Sequence, residues 1–119
     1  MKRAFEEQVL QLCELLHGKK AEDILALYVA DKTIIADWFI VASGRVAVQV
    51  KAMADELEIK AEEIGLRLLR REGYSEGRWI VLDFGCILVH LFNPEERAFY
   101  NMERLWEDGE NLIRYPQEP

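Results

Sequence analysis

The stretch Trp79 to Phe92, "WIVLDFGCILVHLF", constrains this chain more than any other. It is nearly all apolar, has a glycine in the middle, and alternates residue type on either side of it. Side chains of a strand point to opposite faces in turn. A hairpin folded about Phe84-Gly85 therefore sorts its residues into two sets. Ile80, Leu82, Ile87, Val89 and Leu91 form one face, made wholly of branched aliphatics, which predicts a layer of helices packed upon it. The other face carries Trp79, Val81, Asp83, Cys86, Leu88, His90 and Phe92. A two-residue loop at Phe84-Gly85 pairs Asp83 with Cys86, Val81 with Leu88 and Trp79 with His90.

Three residues of that second face belong to types that catalysts and metal sites use. In the expected register, Cys86 and His90 lie four residues apart on one strand. At about 3.3 Å per residue the gap is roughly 13 Å, too far for a thiol–imidazole pair. Asp83 beside Cys86 raises a thiol's pKa rather than lowering it. His90, opposite Trp79, reads as a packed imidazole rather than a general base. The face then consists of an exposed tryptophan, aliphatics and an acid, which is the composition of a protein interface.

The other elements follow from periodicity. Phe5, Val9, Leu12 and Leu16 make one stripe of a helix over Ala4–His17, stopped by Gly18. "DILALYVA" (Asp23–Ala30) reads as a strand. "WFIVAS" (Trp38–Ser43) reads as a strand buried on both faces. A long helix opens at Arg45, with Val46, Val50, Met53 and Leu57 as its stripe, and ends at Gly65. "LRLLRRE" reads as a short strand. "NPEE" at Asn93–Glu96 is a strong helix start, with Asn93 as cap and Pro94 in the first turn. Phe99, Met102, Leu105 and Trp106 form the stripe expected to dock that helix. The result is an α/β fold: a mixed β-sheet with helices packed on one face. Residues 1–109 read as a single domain and 110–119 as a loose tail.

Charge and cysteine usage narrow the function classes. Net charge is -7, from 22 acids against 15 Lys and Arg. Such a surface repels phosphate backbones, so little or no direct RNA binding is expected and a basic protein is the natural partner. The one dense basic stretch, Arg67 to Arg71, reads as a solvated strand edge. The two cysteines lie in no C-x-x-C pair, and with two scattered histidines they suggest neither a disulfide framework nor zinc. No apolar run approaches the roughly 18–20 residues of a membrane helix. The acid-rich N-terminus resembles neither a signal nor a transit peptide, and the chain reads as cytoplasmic.

Three separated blocks, "DILALYVADKTIIADWFIVASG", "REGYSEGRWIVLDFGCILVHLF" and "ERAFYNMERLW", fit one family in order and spacing. Over about Glu22 to Asp108 the chain resembles the ribosomal silencing factors, the Iojap-like proteins. The resemblance implies a fold related to nucleotidyltransferases but without catalysis or cofactor. It implies binding to the large ribosomal subunit through the ribosomal protein numbered fourteen in bacteria. Occupying that protein would block joining of the two subunits and repress translation under nutrient limitation. In the family the hairpin face and turn carry the contact, at positions matching Trp79, Asp83, Phe84 and Gly85. With the neighbours on that face, the candidate docking set is Trp79, Val81, Asp83, Phe84, Gly85, Cys86, Leu88 and His90. Two departures stand out: Cys86 replaces the usual acid after the turn glycine, and Gly44-Arg45-Val46 replaces Gly-Asn-Ser.

Two other functions fit parts of the chain. A small nucleotidyltransferase would need a Gly-Ser pair at a helix start and two or three acids for Mg²⁺. Here the pair is reversed, Ser43-Gly44, and Asp37 and Asp83 make no Asp-x-Asp. A homodimer through the Trp79 face is also compatible with the sequence.

Overall fold

The aliphatic face of the hairpin forms part of the floor of the main core, and two helices lie side by side on that floor. The computed structural model describes residues 3–116. In chain order the elements are α1 (Glu6–Gly18), β1 (Glu22–Tyr28), β2 (Trp38–Ser43), α2 (Ala47–Glu63), β3 (Arg70–Glu72), β4 (Trp79–Asp83), β5 (Ile87–Phe92), α3 (Pro94–Tyr100), α4 (Met102–Trp106) and β6 (Leu112–Tyr115). The six strands form one sheet in the order β3-β4-β5-β2-β1-β6. β2 and β5 run parallel and every other neighbouring pair antiparallel, so the sheet is mixed. β2 lies inside the sheet and is buried along its whole length, as its unbroken apolar run requires.

The 3.6-residue stripes place α1 and α2. Val9, Leu12 and Leu16 of α1 and Val50, Met53 and Leu57 of α2 have no exposed surface. α2 lies over Ile80, Leu82, Ile87, Val89 and Leu91 of the hairpin, while α1 lies over β1, β2 and β6, and both stripes join one core. Burying each such aliphatic side chain contributes about 1.5–3 kcal/mol. The small Ala54 and Ala61 allow α2 to lie close to the sheet.

Four expectations need correction. First, helices lie on both faces, not one: Met102 and Trp106 of α4 cover Leu27, Phe39, Val41 and Phe92 on the side away from α1 and α2. Trp106 packs edge-on to Phe39, with centroids 5.0 Å apart. Secondly, the helix opening at Asn93 is not continuous. The Asn93 side chain caps it, accepting from Glu96 N–H at 2.8 Å, but Asn101 then turns left-handed with φ 46° and splits it into α3 and α4. The break rotates the second segment against the first. Met102 is buried, while Phe99 and Leu105 are 79% and 78% exposed and lie outside both core clusters. Buried Arg97 locks this corner, donating to Ser43 Oγ and to the Asp23 carbonyl, each at 2.8 Å, and pairing with Glu103 at 3.1 Å.

Thirdly, residues 110–116 are not a loose tail; residues 117–119 lie outside the described residues. β6 pairs with β1, with Ile24 opposite Tyr115 and Leu27 opposite Leu112. An unpaired β1 edge would leave a row of backbone donors and acceptors free, and β6 takes them. Buried Asn111 fixes the approach, donating to the carbonyls of Tyr28 and Trp106 at 2.9 Å.

Fourthly, the hairpin register differs by two residues. Asp83 pairs with Leu88, Val81 with His90 and Trp79 with Phe92. A two-residue turn of the favoured type would force positive φ on Phe84, which a bulky residue resists. Only Gly85 has positive φ, 83°. The loop is instead wider, closed by Phe84 N–H to the Ile87 carbonyl at 2.9 Å. A shift of two leaves every strand residue on its expected face.

Candidate protein-docking face

α3 and α4 cover only part of the second face. Over β4 the sheet stays open: Trp79, Val81 and Asp83 are half-buried, Leu88 on β5 likewise, and all three residues of β3 are exposed. Trp79 dominates this surface. Its ring stacks on Phe92 (centroids 4.9 Å, interplanar 27°) and leans on Tyr100 at the end of α3 (4.7 Å, 44°). Its Nε1–H donates to His90 Nδ1 at 3.1 Å. Tyr100 in turn meets the exposed Phe99 edge-on at 5.0 Å. A continuous aromatic run thus leads from solvent at Phe99 to the interior at His90.

The eight residues expected to dock a partner divide. Trp79, Val81, Asp83 and Leu88 share the open face, with Gly85 at its turn. Phe84 does not belong to it: only 5% exposed, it is buried in the main core beside Ile80 and Leu82. Its even-numbered place in the alternation was the signal, which a turn assignment obscured. Cys86 also leaves the face, because the wider loop packs it against the same core. His90 is 6% exposed and lies beneath Trp79. Phe99 and Tyr100 at the rim escaped sequence reasoning, since a continuous helix would have buried Phe99. So did Ile34 and Ile35, two exposed aliphatics in the loop that Asp37 N–H ties to the hairpin turn through the Cys86 carbonyl, at 2.9 Å.

The polar groups of the face do structural work. Asp83 Oδ1 accepts the Gly85 N–H at 2.8 Å, closing the turn, while Oδ2 meets Arg70 at 3.5 Å. Burial and the charge of Asp37 push the Cys86 thiol up, and burial pushes Cys13 up to about 12; neither is poised as a nucleophile. Burial lowers His90 to about 4, so its ring is neutral at neutral pH. Ser43, the first residue of the reversed pair, is buried and bonded to Arg97. Among the described residues no three His, Cys, Asp or Glu side chains converge enough to hold a metal ion, and no helix is long and apolar enough to cross a membrane.

A stacked tryptophan on a half-covered sheet face, edged by aliphatics and one engaged acid, has the make-up of a protein-docking surface. The chain belongs to the ribosomal silencing factor family. The family model described as "Ribosomal silencing factor during starvation" matches residues 2–118. A ribosomal silencing factor of Halalkalibacterium halodurans is 42% identical over 104 residues, covering 87% of this chain and 89% of the relative. A crystal structure of a Chromobacterium violaceum protein superposes with a TM-score of 0.79 at 31% identity, over 88% of this chain and 90% of that one. A more distant relative, mouse "Mitochondrial assembly of ribosomal large subunit protein 1", is 31% identical over 98 residues, 80% of this chain and 43% of that protein. The family is one of silencing factors, not of enzymes.

Proposed function

We propose that this protein silences ribosomes in the cytoplasm by docking the open β3–β4–β5 face on the large ribosomal subunit, at the ribosomal protein numbered fourteen. Occupying that site keeps the small subunit from joining and represses translation when nutrients are short. The observation that carries the reading is the Trp79 ring, partly exposed and held between Phe92 and Tyr100 on the uncovered half of the sheet. A partly exposed aromatic ring held against the edge of an open apolar face is a typical binding hot spot. The net charge of -7 suits a basic partner and disfavours rRNA. The names of the relatives support the same direction: the Halalkalibacterium halodurans protein is called a silencing factor, and the mouse protein is named for assembly of a large ribosomal subunit.

The test is a subunit-joining assay on gradients, with purified ribosomal protein fourteen and naked rRNA as separate binding partners. The wild-type chain should bind the protein and hold the subunits apart. Trp79→Ala, at a half-buried position, should stay folded and lose at least about 2 kcal/mol of binding, roughly thirtyfold. Tight binding to rRNA alone, or unchanged inhibition by Trp79→Ala, would sink the proposal. Mass measured at two concentrations, with and without the large subunit, reads whether a second copy competes for this face.

A further inference from the structure

A buried imidazole with an unused N–H is costly to keep, and His90 is one. It is 6% exposed, between Trp79, Phe39 and Phe92. Its Nδ1 accepts the Trp79 Nε1–H at 3.1 Å, so the ring proton of the neutral form sits on Nε2. Nε2 is buried with no hydrogen-bond partner among the described residues. A leucine would fill the site without that unsatisfied donor. What the imidazole supplies and leucine cannot is an acceptor for the indole. Stacking on Phe92 and the tilted contact with Tyr100 confine the Trp79 ring but do not stop it sliding or flipping. The bond to His90 does.

We propose that His90 is a positioning residue: from beneath the docking face it holds the Trp79 indole in one orientation, so that the ring meets the partner already ordered. The inference deepens the docking reading and rests on it. Ordering a side chain before binding removes a cost otherwise met at association, worth about threefold to tenfold in affinity. The cost of the orphaned Nε2–H then falls on folding, and the gain on binding.

This opposition gives the test. His90→Leu, His90→Asn and Trp79→Ala are made in the full chain. Three quantities are read: melting temperature, affinity for purified large ribosomal subunits, and the Trp79 indole N–H resonance with its exchange rate. Asparagine places an oxygen the same number of bonds from the backbone as Nδ1. His90→Leu should melt no lower than wild type, bind about threefold to tenfold more weakly, and show faster exchange or several indole resonances. His90→Asn should recover most of the affinity. A merely structural histidine would instead lose binding only as stability fell. Equal binding by His90→Leu, or an asparagine variant no better than leucine, overturns the inference. So does a wild-type Trp79 indole proton that exchanges as fast as a free indole, a measurement that needs no variant to fold. If Trp79→Ala binds normally, the docking reading fails first. If Trp79→Ala loses binding and His90→Leu keeps it, only the role of His90 fails.

Discussion

His90 also links this protein's stability to pH. Its pKa falls from an ordinary 6.5 to about 4 because burial disfavours the charged ring. The unfolded chain therefore binds more protons than the folded one between those values, and stability rises with pH across that window. As pH falls from about 6.5 to about 4, this one group should withdraw about 3 kcal/mol. Melting curves of wild type and His90→Leu at pH 7.5 and 4.5 check the sign: wild type should lose more on acidification, because the variant lacks the term. Leu82 is the contrasting residue. It is on the same strand as Trp79 but wholly buried in the main core, on the face that α2 covers. Leu82→Ala should cost about 2–5 kcal/mol by chemical denaturation and weaken ribosome binding only as the domain unfolds. That the two residues face opposite ways was legible in the alternation alone. That the Trp79 and His90 rings lie close was legible too, but not the hydrogen bond that His90 accepts from Trp79, because it depends on the diagonal offset that the observed register sets between them.

Among the elements, α2 is the least well started. Its N-cap is Val46, in an extended conformation and without a side-chain cap, and its first turn holds no acid. Val46 is 61% exposed, so little packing is lost by changing it. Val46→Asp should supply both the cap and a favourable charge at the helix's positive end, raising stability by about 1 kcal/mol in denaturant titrations. The α3–α4 corner makes the opposite point. Asn101 tolerates φ 46° better than other non-glycine residues do. Asn101→Ala should cost about 1–2 kcal/mol, while Asn101→Gly should leave the denaturation midpoint nearly unchanged. The stripes of α1 and α2 could be read from sequence, because a helix's period is a local property, except for their expected first members: Phe5 and Val46 fall outside the helices as exposed N-cap residues, where the helical phase does not yet hold. The stripe from Phe99 to Trp106 could not, because one left-handed residue resets the phase and Arg97, reaching across to Ser43 and Asp23, fixes the corner.

Across the whole molecule, β6 closes the sheet. Ending the chain after Asn111 would bare the β1 edge and strip Ile113 and Tyr115 from the main core. That truncation should cost at least about 2 kcal/mol in apolar burial alone, and the exposed edge should promote association visible by light scattering. The sequence by itself determined the helices α1 and α2, the buried run of β2, the facing of each hairpin strand residue and the family. All of these depend on period or on motif order along the chain. Tertiary structure decided the hairpin register, the pairing of β6, how much of the second face α3 and α4 cover, and therefore which aromatics are left to bind. The physical reason is the same each time. Moving a strand by two residues, or docking a short helix on one half of a sheet rather than another, leaves the pattern of apolar and polar residues unchanged. Only hydrogen-bond closure and side-chain packing between distant segments tell such arrangements apart.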